Sequence, residues 1–331
     1  MPAQIKAIEY YLPDNILNNE MIEEIYKPWS SQKVENIIGI RSRHIADMDE
    51  TASDLGYMAA MKLFNSGVVS PAQIDFLLFC TETPDYPLPP SACILQDRLN
   101  LPKTTGALDY NLGCSGFIYG LGLSQGLIVT EQAKNVLLIT SDTYSKHIHS
   151  DDKSVRTLFG DGGAATLISI SDEDCIGPFQ HGTDGSGFSN LIVTKGTARS
   201  PNFIRNLNLS KKTKFPDNLY MNGSALFNFT IQTVPHTVEK FLQKINSKLE
   251  DVDFFVFHQA NKYILEHLRQ KIGIPKERFF VDISDTGNTV SASIPIALKK
   301  ASTLDLIKKG DRILTIGFGV GYSWSITILT W

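Results

Sequence analysis

Six short apolar runs recur along the chain without a strict alternation of apolar and polar residues. They are "IDFLLFC" (74–80), "GALDYNL" (106–112), "NVLLITS" (135–141), "VDFFVFH" (252–258), "RFFVDIS" (278–284) and "RILTIGF" (312–318). Runs of this kind are typical of strands that are buried on both faces. Helical patterns lie between them, and one of these begins at Thr51, which is predicted to form a capping box with Asp54. The sequence therefore predicts an α/β fold.

The order of these elements repeats in the two halves of the chain. The first half has a strand, a helix, the strand before Cys114, another helix and a third strand. The second half has a strand ending at His258, a helix, the strand before Asn288, a helix and a last strand. We therefore predict two pseudo-repeated βαβαβ halves, residues 1–172 with the cysteine and residues 173–331 with the histidine and asparagine.

Composition excludes several classes of protein. The 331 residues are 42% hydrophobic and carry a formal net charge of −4, so a large core is expected and nucleic acid is not expected as the main partner. No secretory signal and no membrane-spanning run is recognisable, so we expect a cytoplasmic protein. The four cysteines lack metal-binding spacing, so neither a metal site nor a disulfide framework is expected. Residues 195–214 contain no acidic residue and could face an anionic partner or form a solvated loop. The basic residues of this segment are Lys195, Arg199, Arg205, Lys211, Lys212 and Lys214.

Cys114 lies in the sequence "LDYNLGCSGF", between Gly113 and Gly116 and just before a second apolar run. The glycines permit a sharp turn from strand to helix. Cys114 would then lie at a helix N-terminus, which predicts a thiol pKa below the usual value and a nucleophilic role. The alternative is an inert, packed thiol.

His258 and Asn288 follow two other strands, in "FVFHQAN" and "DTGNTVSAS". In a duplicated fold they reach the same sheet edge as Cys114, where open α/β sheets bind ligands. These residue types are suited to carbon–carbon bond formation, with Cys114 as the acyl carrier and the other two as donors to an enolate oxygen. A hydrolase would use the same residues with the histidine as base, and the sequence leaves both options open.

Two glycine-rich segments lie near these residues. "GFGVGYSW" (317–324) could supply a backbone N–H to an oxyanion, whereas its spacing does not match a nucleotide-binding loop. "FGDGGAA" (159–165) is interpreted as tight turns and close packing.

These segments together resemble the thiolase-fold condensing enzymes, and most closely the β-ketoacyl-acyl carrier protein synthase III family. The resemblance extends over almost the whole chain, through "GIRSRHIA" (39–46), "PPSACILQ" (89–96), "GCSGF" (113–117), "HQAN" (258–261), "GNTVSASIPIAL" (287–298) and the two glycine-rich segments. It implies a five-layer αβαβα fold, a homodimer, no cofactor, and decarboxylative condensation of an acyl thioester with malonyl-acyl carrier protein.

The resemblance also implies roles for individual residues. Cys114 would be the acylated nucleophile, His258 and Asn288 the decarboxylation pair, and the backbone amides of Cys114 and Val320 the oxyanion hole. Further implied substrate-binding residues are Met221, Gly223, Phe227, Asn261 and Phe318, the first three of them in the segment "YMNGSALF" that resembles the lining of the pantetheine tunnel.

This sequence departs from the family pattern at the entrance to the site. Where the family clamps the adenine of coenzyme A with Trp and Arg, this chain has Lys33 and Lys153, and Trp29 is out of register. Pro89 replaces an aromatic residue of the acyl tunnel, and Val320 stands where glycine or alanine is common. These departures indicate a primer other than acetyl-coenzyme A, delivered by coenzyme A or by acyl carrier protein. The predicted basic contacts of the carrier are Lys262, Arg269 and Lys271.

Two other functions are compatible with the same motifs. One is a related acyltransferase that passes the acyl group to an oxygen, nitrogen or other non-malonyl nucleophile. The other is a non-catalytic partner subunit, which normally lacks the nucleophilic cysteine.

Overall fold

The computed structural model describes residues 1–27, 30–196, 198–199 and 206–331. Trp29 and Arg205 lie outside the described residues. The strands are β1 Ala3–Tyr11, β2 Ile16–Asn18, β3 Ser42–His44, β4 Phe76–Cys80, β5 Gly106–Tyr110, β6 Asn135–Asp142, β7 Gly162–Ile170, β8 Ile176–Thr183, β9 Leu191–Ile192, β10 Tyr220–Met221, β11 Phe254–Phe257, β12 Arg312–Gly319 and β13 Ser323–Thr330. The α-helices of the described residues are α1 Asn19–Ile25, α2 Ser31–Ile38, α3 Ala52–Asn65, α4 Ser91–Arg98, α5 Gly116–Val129, α6 Lys153–Arg156, α7 Gly223–Lys244, α8 Lys262–Ile272 and α9 Ser293–Thr303.

Two mixed sheets with the same strand order form the frame of the molecule. The first sheet has the order β1-β7-β6-β4-β5, and the second has the order β8-β13-β12-β11. In both sheets the pairing is antiparallel, antiparallel and then parallel along the order, and β4 and β5 add a further parallel pair in the first. This correspondence confirms the predicted internal repeat. Along the chain, the change from the first sheet to the second comes between β7 and β8. The predicted division between residues 172 and 173 lies in this connection, and the assignment of two domains stays a prediction.

The helices and sheets form five layers. Helices α3 and α4 pack on the outer face of the first sheet, and α7 and α8 pack on the outer face of the second. Between the sheets lie α5 and α9, whose apolar side chains contact strands from both of them. Because α5 contacts a sheet on each side, its sequence "GFIYGLGLSQGLIV" is apolar nearly all round rather than amphipathic. The predicted αβαβα architecture is therefore confirmed.

Local sequence signals place several helix ends. The predicted capping box at the start of α3 is present, because the Thr51 side chain accepts from the Asp54 backbone N–H and the Asp54 carboxylate accepts from the Thr51 N–H at 2.8 Å. Asn261 caps α8 in the same sense, since its Oδ1 accepts from Ile264 N at 2.8 Å. Gly273, with φ of 85°, ends that helix.

The prediction of a strand at residues 278–284 is wrong. In the structure this segment makes only an isolated parallel bridge between Phe279 and Phe255 of β11. The Gln259 side chain occupies the place of a neighbouring strand, because its Nε2 donates to Phe280 O at 3.4 Å and its Oε1 accepts from Asp282 N at 2.8 Å. Phe279, Phe280 and Ile283 of this segment are buried, but the Gln259 side chain and isolated backbone hydrogen bonds, rather than a continuous ladder, bond its backbone.

In the described part of the chain, no helix combines the length and the apolar character that crossing a membrane would require.

Candidate active site

Cys114 lies in the tight turn between β5 and α5. Gly116 N donates to Gly113 O at 2.8 Å, which closes the turn. Two glycines are required here by close approach, because a Cβ on Gly116 would lie 2.3 Å from Cys80 Sγ and a Cβ on Gly317 would lie 2.5 Å from Cys114 O. The turn is therefore held between β4 and β12, and the thiol of Cys114 is buried with 6% exposure.

The sulfur of Cys114 faces the glycine-rich segment at the end of β12. A Cβ on Gly319 would lie 2.9 Å from both Cβ and Sγ of Cys114. The backbone N–H groups of Val320 and of Cys114 itself act to lower the pKa of the thiol. Two backbone donors therefore lie beside the sulfur, which is where an oxyanion hole for an acyl group on that sulfur has to be.

His258 follows β11 directly, and its backbone N–H donates to Ile316 O at 2.9 Å. Its ring stands edge-on to Phe318, with the ring centroids 5.5 Å apart. Nδ1 lies 2.7 Å from Ser293 Oγ. Burial lowers the pKa of His258 to about 3, so the imidazole is neutral at physiological pH and one ring nitrogen is a donor.

Asn288 lies in the turn before α9, between Gly287 with φ of 64° and Val290 with φ of 52°. Its Oδ1 accepts from Val290 N at 2.9 Å, and its backbone N–H donates to Leu158 O at 3.0 Å. With Oδ1 occupied in this way, Nδ2 is the end of the amide that is available as a donor.

Cys114, His258 and Asn288 line one cavity of about 120 Å³. The sequence-predicted residues Met221, Gly223, Asn261 and Phe318 line it too. The remaining lining residues are mostly apolar: Leu158, Phe159, Leu191, Leu226, Thr230, Ala260, Ile264 and Gly319. A mostly apolar cavity with a thiol and a few convergent donors is suited to a small or narrow substrate group.

Comparison with known proteins agrees with this geometry. Family models of 3-oxoacyl-[acyl-carrier-protein] synthase III match residues 108–185, and the model of its C-terminal part matches residues 242–331. The β-ketoacyl-[acyl-carrier-protein] synthase III of Clostridium perfringens is 36% identical over 328 residues, which covers 99% of this chain and 98% of that protein. This chain belongs to the β-ketoacyl-acyl carrier protein synthase III family.

Solved structures agree with the assignment. A 2.1 Å crystal structure of a 3-oxoacyl-(acyl-carrier-protein) synthase III matches with a TM-score of 0.94 and 43% identity over 100% of both chains. The synthase III of Pseudomonas aeruginosa PAO1 matches with a TM-score of 0.89 and 29% identity, covering 100% of this chain and 98% of that one. The predicted family, the thiolase-like fold and the prediction of a condensing enzyme of the acyltransferase class are confirmed.

The sequence analysis missed a group of acidic and hydroxyl side chains behind the nucleophile of this synthase III family member. The Tyr144 hydroxyl donates to Glu82 Oε2, and Asp142 accepts from Glu82 N at 2.8 Å and from the Ser291 hydroxyl and N–H. Burial raises the pKa of Glu82 to about 7, and burial together with the nearby Glu82 raises that of Asp142 to about 8. No local motif marks these residues, since they come from three separate segments.

This acidic group changes the expected chemistry of Cys114. Burial, and then the carboxyls of Glu82 and Asp142, raise the pKa of the Cys114 thiol well above its ordinary value, and the two backbone N–H groups only partly oppose this. The prediction of a lowered thiol pKa from the helix N-terminus is therefore wrong for the substrate-free chain. Burial, which penalises the charged thiolate, is the largest cause of this rise.

Other predicted residues lie outside the cavity. Phe227 stacks on Tyr263, with the ring centroids 5.7 Å apart, and is not one of the residues that line the cavity. Lys262 packs against Gly39 and lines a cleft of about 690 Å³ on the outer surface. Arg269 already pairs with Glu266 at 2.9 Å.

The remaining predicted residues, Lys271, Lys33, Lys153 and Pro89, lie on the surface. Lys271 Nζ donates to Ile231 O at 2.7 Å, so that ammonium also has an internal partner. Lys33, Lys153 and Pro89 are exposed. Of the three predicted carrier contacts, Arg269 and Lys271 already have partners within the chain. Lys262 is therefore the one of the three that is best placed to contact a carrier.

Proposed function

We propose that Cys114 carries the acyl group in a two-stage condensation. In the first stage the sulfur attacks an acyl thioester, the C–S bond of the donor breaks, and the thiol proton of Cys114 passes to the departing thiolate. In the second stage a malonyl thioester loses CO2, and the electron pair of the broken bond forms an enolate. The enolate carbon attacks the acyl carbonyl, and Cys114 leaves as thiolate and takes up a proton.

The convergence of donors in the cavity carries this proposal. His258, as a neutral imidazole, and Asn288 Nδ2 would hold the enolate oxygen. The backbone amides of Cys114 and Val320, which act on the pKa of the thiol, would hold the acyl oxyanion. The thioester arm would contact Met221, Gly223, Asn261 and Phe318. Phe227 stacks on Tyr263 outside the cavity, so it is not assigned a contact with the arm.

The natural primer is proposed to be an acyl group other than acetyl. The support is the exposed Lys33 and Lys153 at the positions of the family's adenine clamp, together with Pro89 at the acyl tunnel. A malonyl-acyl carrier protein is the proposed second substrate, and Lys262 is its proposed contact. Transfer to an oxygen or nitrogen nucleophile is not favoured, because the matched relatives are condensing enzymes.

A homodimer is the proposed assembly. Strand β5 forms an edge of the first sheet in the described part of the chain, and Leu108 on it is 39% exposed. The neighbouring loop exposes Leu88 to 80% and Tyr86 to 57%. An open strand edge flanked by exposed apolar side chains is suited to pairing with a second copy. Sedimentation equilibrium tests this assembly, and the cytoplasmic location stays a prediction.

Intact-mass measurement tests the catalytic assignment. The chain is incubated with acetyl-coenzyme A, longer acyl-coenzyme A thioesters and acyl carrier protein thioesters, and malonyl-acyl carrier protein is added afterwards. We expect an acyl adduct that Cys114→Ala abolishes and a β-ketoacyl product that forms only when malonyl thioester is present. Absence of an adduct with every thioester would refute the proposal. Equal turnover of acetyl-coenzyme A and poor turnover of the longer acyl carriers would refute the primer assignment alone.

A further inference from the structure

The tautomer of His258 decides whether its imidazole can serve the proposed reaction. A neutral imidazole carries one hydrogen, on either Nδ1 or Nε2. Nδ1 is engaged at 2.7 Å by Ser293 Oγ, so Nε2 is the nitrogen left for a substrate in the cavity that His258 lines. Only the Nε2–H tautomer can donate to an enolate oxygen from there.

Ser293 has two hydrogen-bond partners within the described chain. Its Oγ lies 2.7 Å from His258 Nδ1 and accepts from Gln259 N at 3.4 Å. A hydroxyl has one hydrogen to donate and two lone pairs. Because Gln259 N can only donate, Nδ1 is the one acceptor among these partners in the described residues for the Ser293 hydrogen, and Ser293 is buried with 3% exposure. A hydrogen on Nδ1 would leave the buried hydroxyl hydrogen without an acceptor, which typically costs about 1 to 3 kcal/mol.

We propose that Ser293 is a positioning residue that donates its hydroxyl hydrogen to Nδ1 of His258 and so keeps the ring hydrogen on Nε2, directed at the substrate. The proposal rests on the proposed function for its catalytic consequence, whereas the tautomer itself does not depend on that function. Burial, which lowers the pKa of His258, keeps the ring neutral so that it has one tautomer to choose.

The position of Ser293 in the fold gives this hydrogen bond a second effect. Ser293 begins α9, and Asn288 lies in the turn that leads into the same helix. The bond from Ser293 therefore ties the ring of His258, at the end of β11, to the element that carries the other proposed donor. Gln259 supports the same link, because its Nε2 donates to Phe257 O at 2.7 Å while its Oε1 accepts from Asp282 N. The two donors are thus held at one relative orientation before substrate binds.

Nitrogen-15 NMR of the histidine rings tests the tautomer directly. The chain is labelled at the imidazole nitrogens, and the signals of His258 are assigned by their loss in His258→Gln. We expect the wild-type chain at neutral pH to show a protonated Nε2 and an unprotonated, hydrogen-bonded Nδ1. A protonated Nδ1 would overturn the proposal whatever the activity of the enzyme.

Single-step kinetics test the consequence for catalysis. In Ser293→Ala we expect the release of CO2 from malonyl-acyl carrier protein by the acylated enzyme to fall about 10- to 100-fold, the range known for hydrogen-bond partners that orient metal-binding histidines. Acylation of Cys114, followed by intact mass, is expected to be unchanged. Ser293→Thr keeps a hydroxyl and is expected to restore most of the decarboxylation rate. Ser302→Ala, a serine near the far end of the same helix, is the matched control and is expected to change neither step.

The outcomes separate the two proposals. Failure of the wild-type chain to acylate or to decarboxylate refutes the proposed function, and the NMR measurement still decides the tautomer. A wild-type chain that performs both steps, with Ser293→Ala decarboxylating at the wild-type rate, overturns the role of Ser293 alone. An equal loss of both steps in Ser293→Ala, with no rescue by threonine, indicates a purely structural role and also overturns it.

Discussion

Gly319 offers a direct test of how closely the nucleophile is held. A Cβ at this position would lie 2.9 Å from Cβ and Sγ of Cys114, whereas ordinary contact begins at 3.4 Å. The backbone of Cys114 also lies close to β12, because a Cβ on Gly317 would lie 2.5 Å from Cys114 O. In Gly319→Ala the sulfur or the end of β12 must therefore move by at least the 0.5 Å between these two distances.

The size of the effect follows from this displacement. A misplacement of about 1 Å in a reacting group can cost about 100-fold in rate. For half of that distance we expect acylation of Cys114 by a thioester to fall about 10-fold or more, since the two backbone amides no longer converge on the displaced sulfur. Overpacking of this kind typically lowers the free energy of unfolding by about 1 to 3 kcal/mol, so the variant is expected to remain folded.

Intact-mass measurement of quenched samples follows the rate of acyl-enzyme formation, and thermal unfolding follows the loss of stability. Gly126→Ala is the matched control, because Gly126 lies in α5, which follows the nucleophile, and a Cβ there would have no atom within 4 Å. That variant is expected to acylate normally and to gain about 0.5 to 1 kcal/mol of stability as a helix glycine replaced by alanine. A folded Gly319→Ala that acylates at the wild-type rate would refute the placement of Cys114 against β12.

Three further predictions concern stability. The folded-state pKa of Glu82 is about 7, above its ordinary value of 4.5. The stability that its protonation contributes is therefore fully present below pH 4.5 and is lost as the pH rises to about 7. At about 1.4 kcal/mol per pH unit this loss is on the order of 3 kcal/mol, and Glu82→Gln should flatten the pH dependence of the free energy of urea unfolding. No change in that slope would contradict the buried, protonated carboxyl. Thr51→Ala should lower the free energy of unfolding by about 1 kcal/mol through loss of the capping box, and Thr51→Ser should recover most of it. Phe255→Ala, which empties a fully buried site in β11, should cost about 3 to 5 kcal/mol in the same assay, and a loss below about 1 kcal/mol would show that the core relaxes there.

Local patterns sufficed for much of the fold. The apolar runs that became β4, β6, β11 and β12 could be recognised because a strand buried on both faces needs apolar residues in succession, whereas β5 is a partly exposed strand at the sheet edge. The run at residues 278–284 has the same composition, yet it is not a strand. Whether such a segment joins a sheet depends on which groups bond its backbone, and here the side chain of Gln259, from the loop after β11, bonds two of its backbone groups.

The candidate site divides in the same way. Glycines beside Cys114, and a histidine and an asparagine that each follow an apolar run, are visible in the sequence because tight turns and strand ends have local signatures. The family resemblance carried by these motifs added the expected roles. Ser293, Glu82 and Asp142 have no such signature, since each acts through contacts with segments distant in the chain.

By itself, the sequence determined the alternation of strands and helices, the internal repeat, the family and the residue types that are available for catalysis. Only the tertiary structure decided their protonation states. Burial makes His258 neutral, and burial beside two carboxyls makes Cys114 a poor acid, which is the reverse of what its helix N-terminus suggests. The physical reason is that the charge state of a group depends on desolvation and on every nearby dipole and charge, and the groups around Cys114 come from separate segments that meet only in the folded chain.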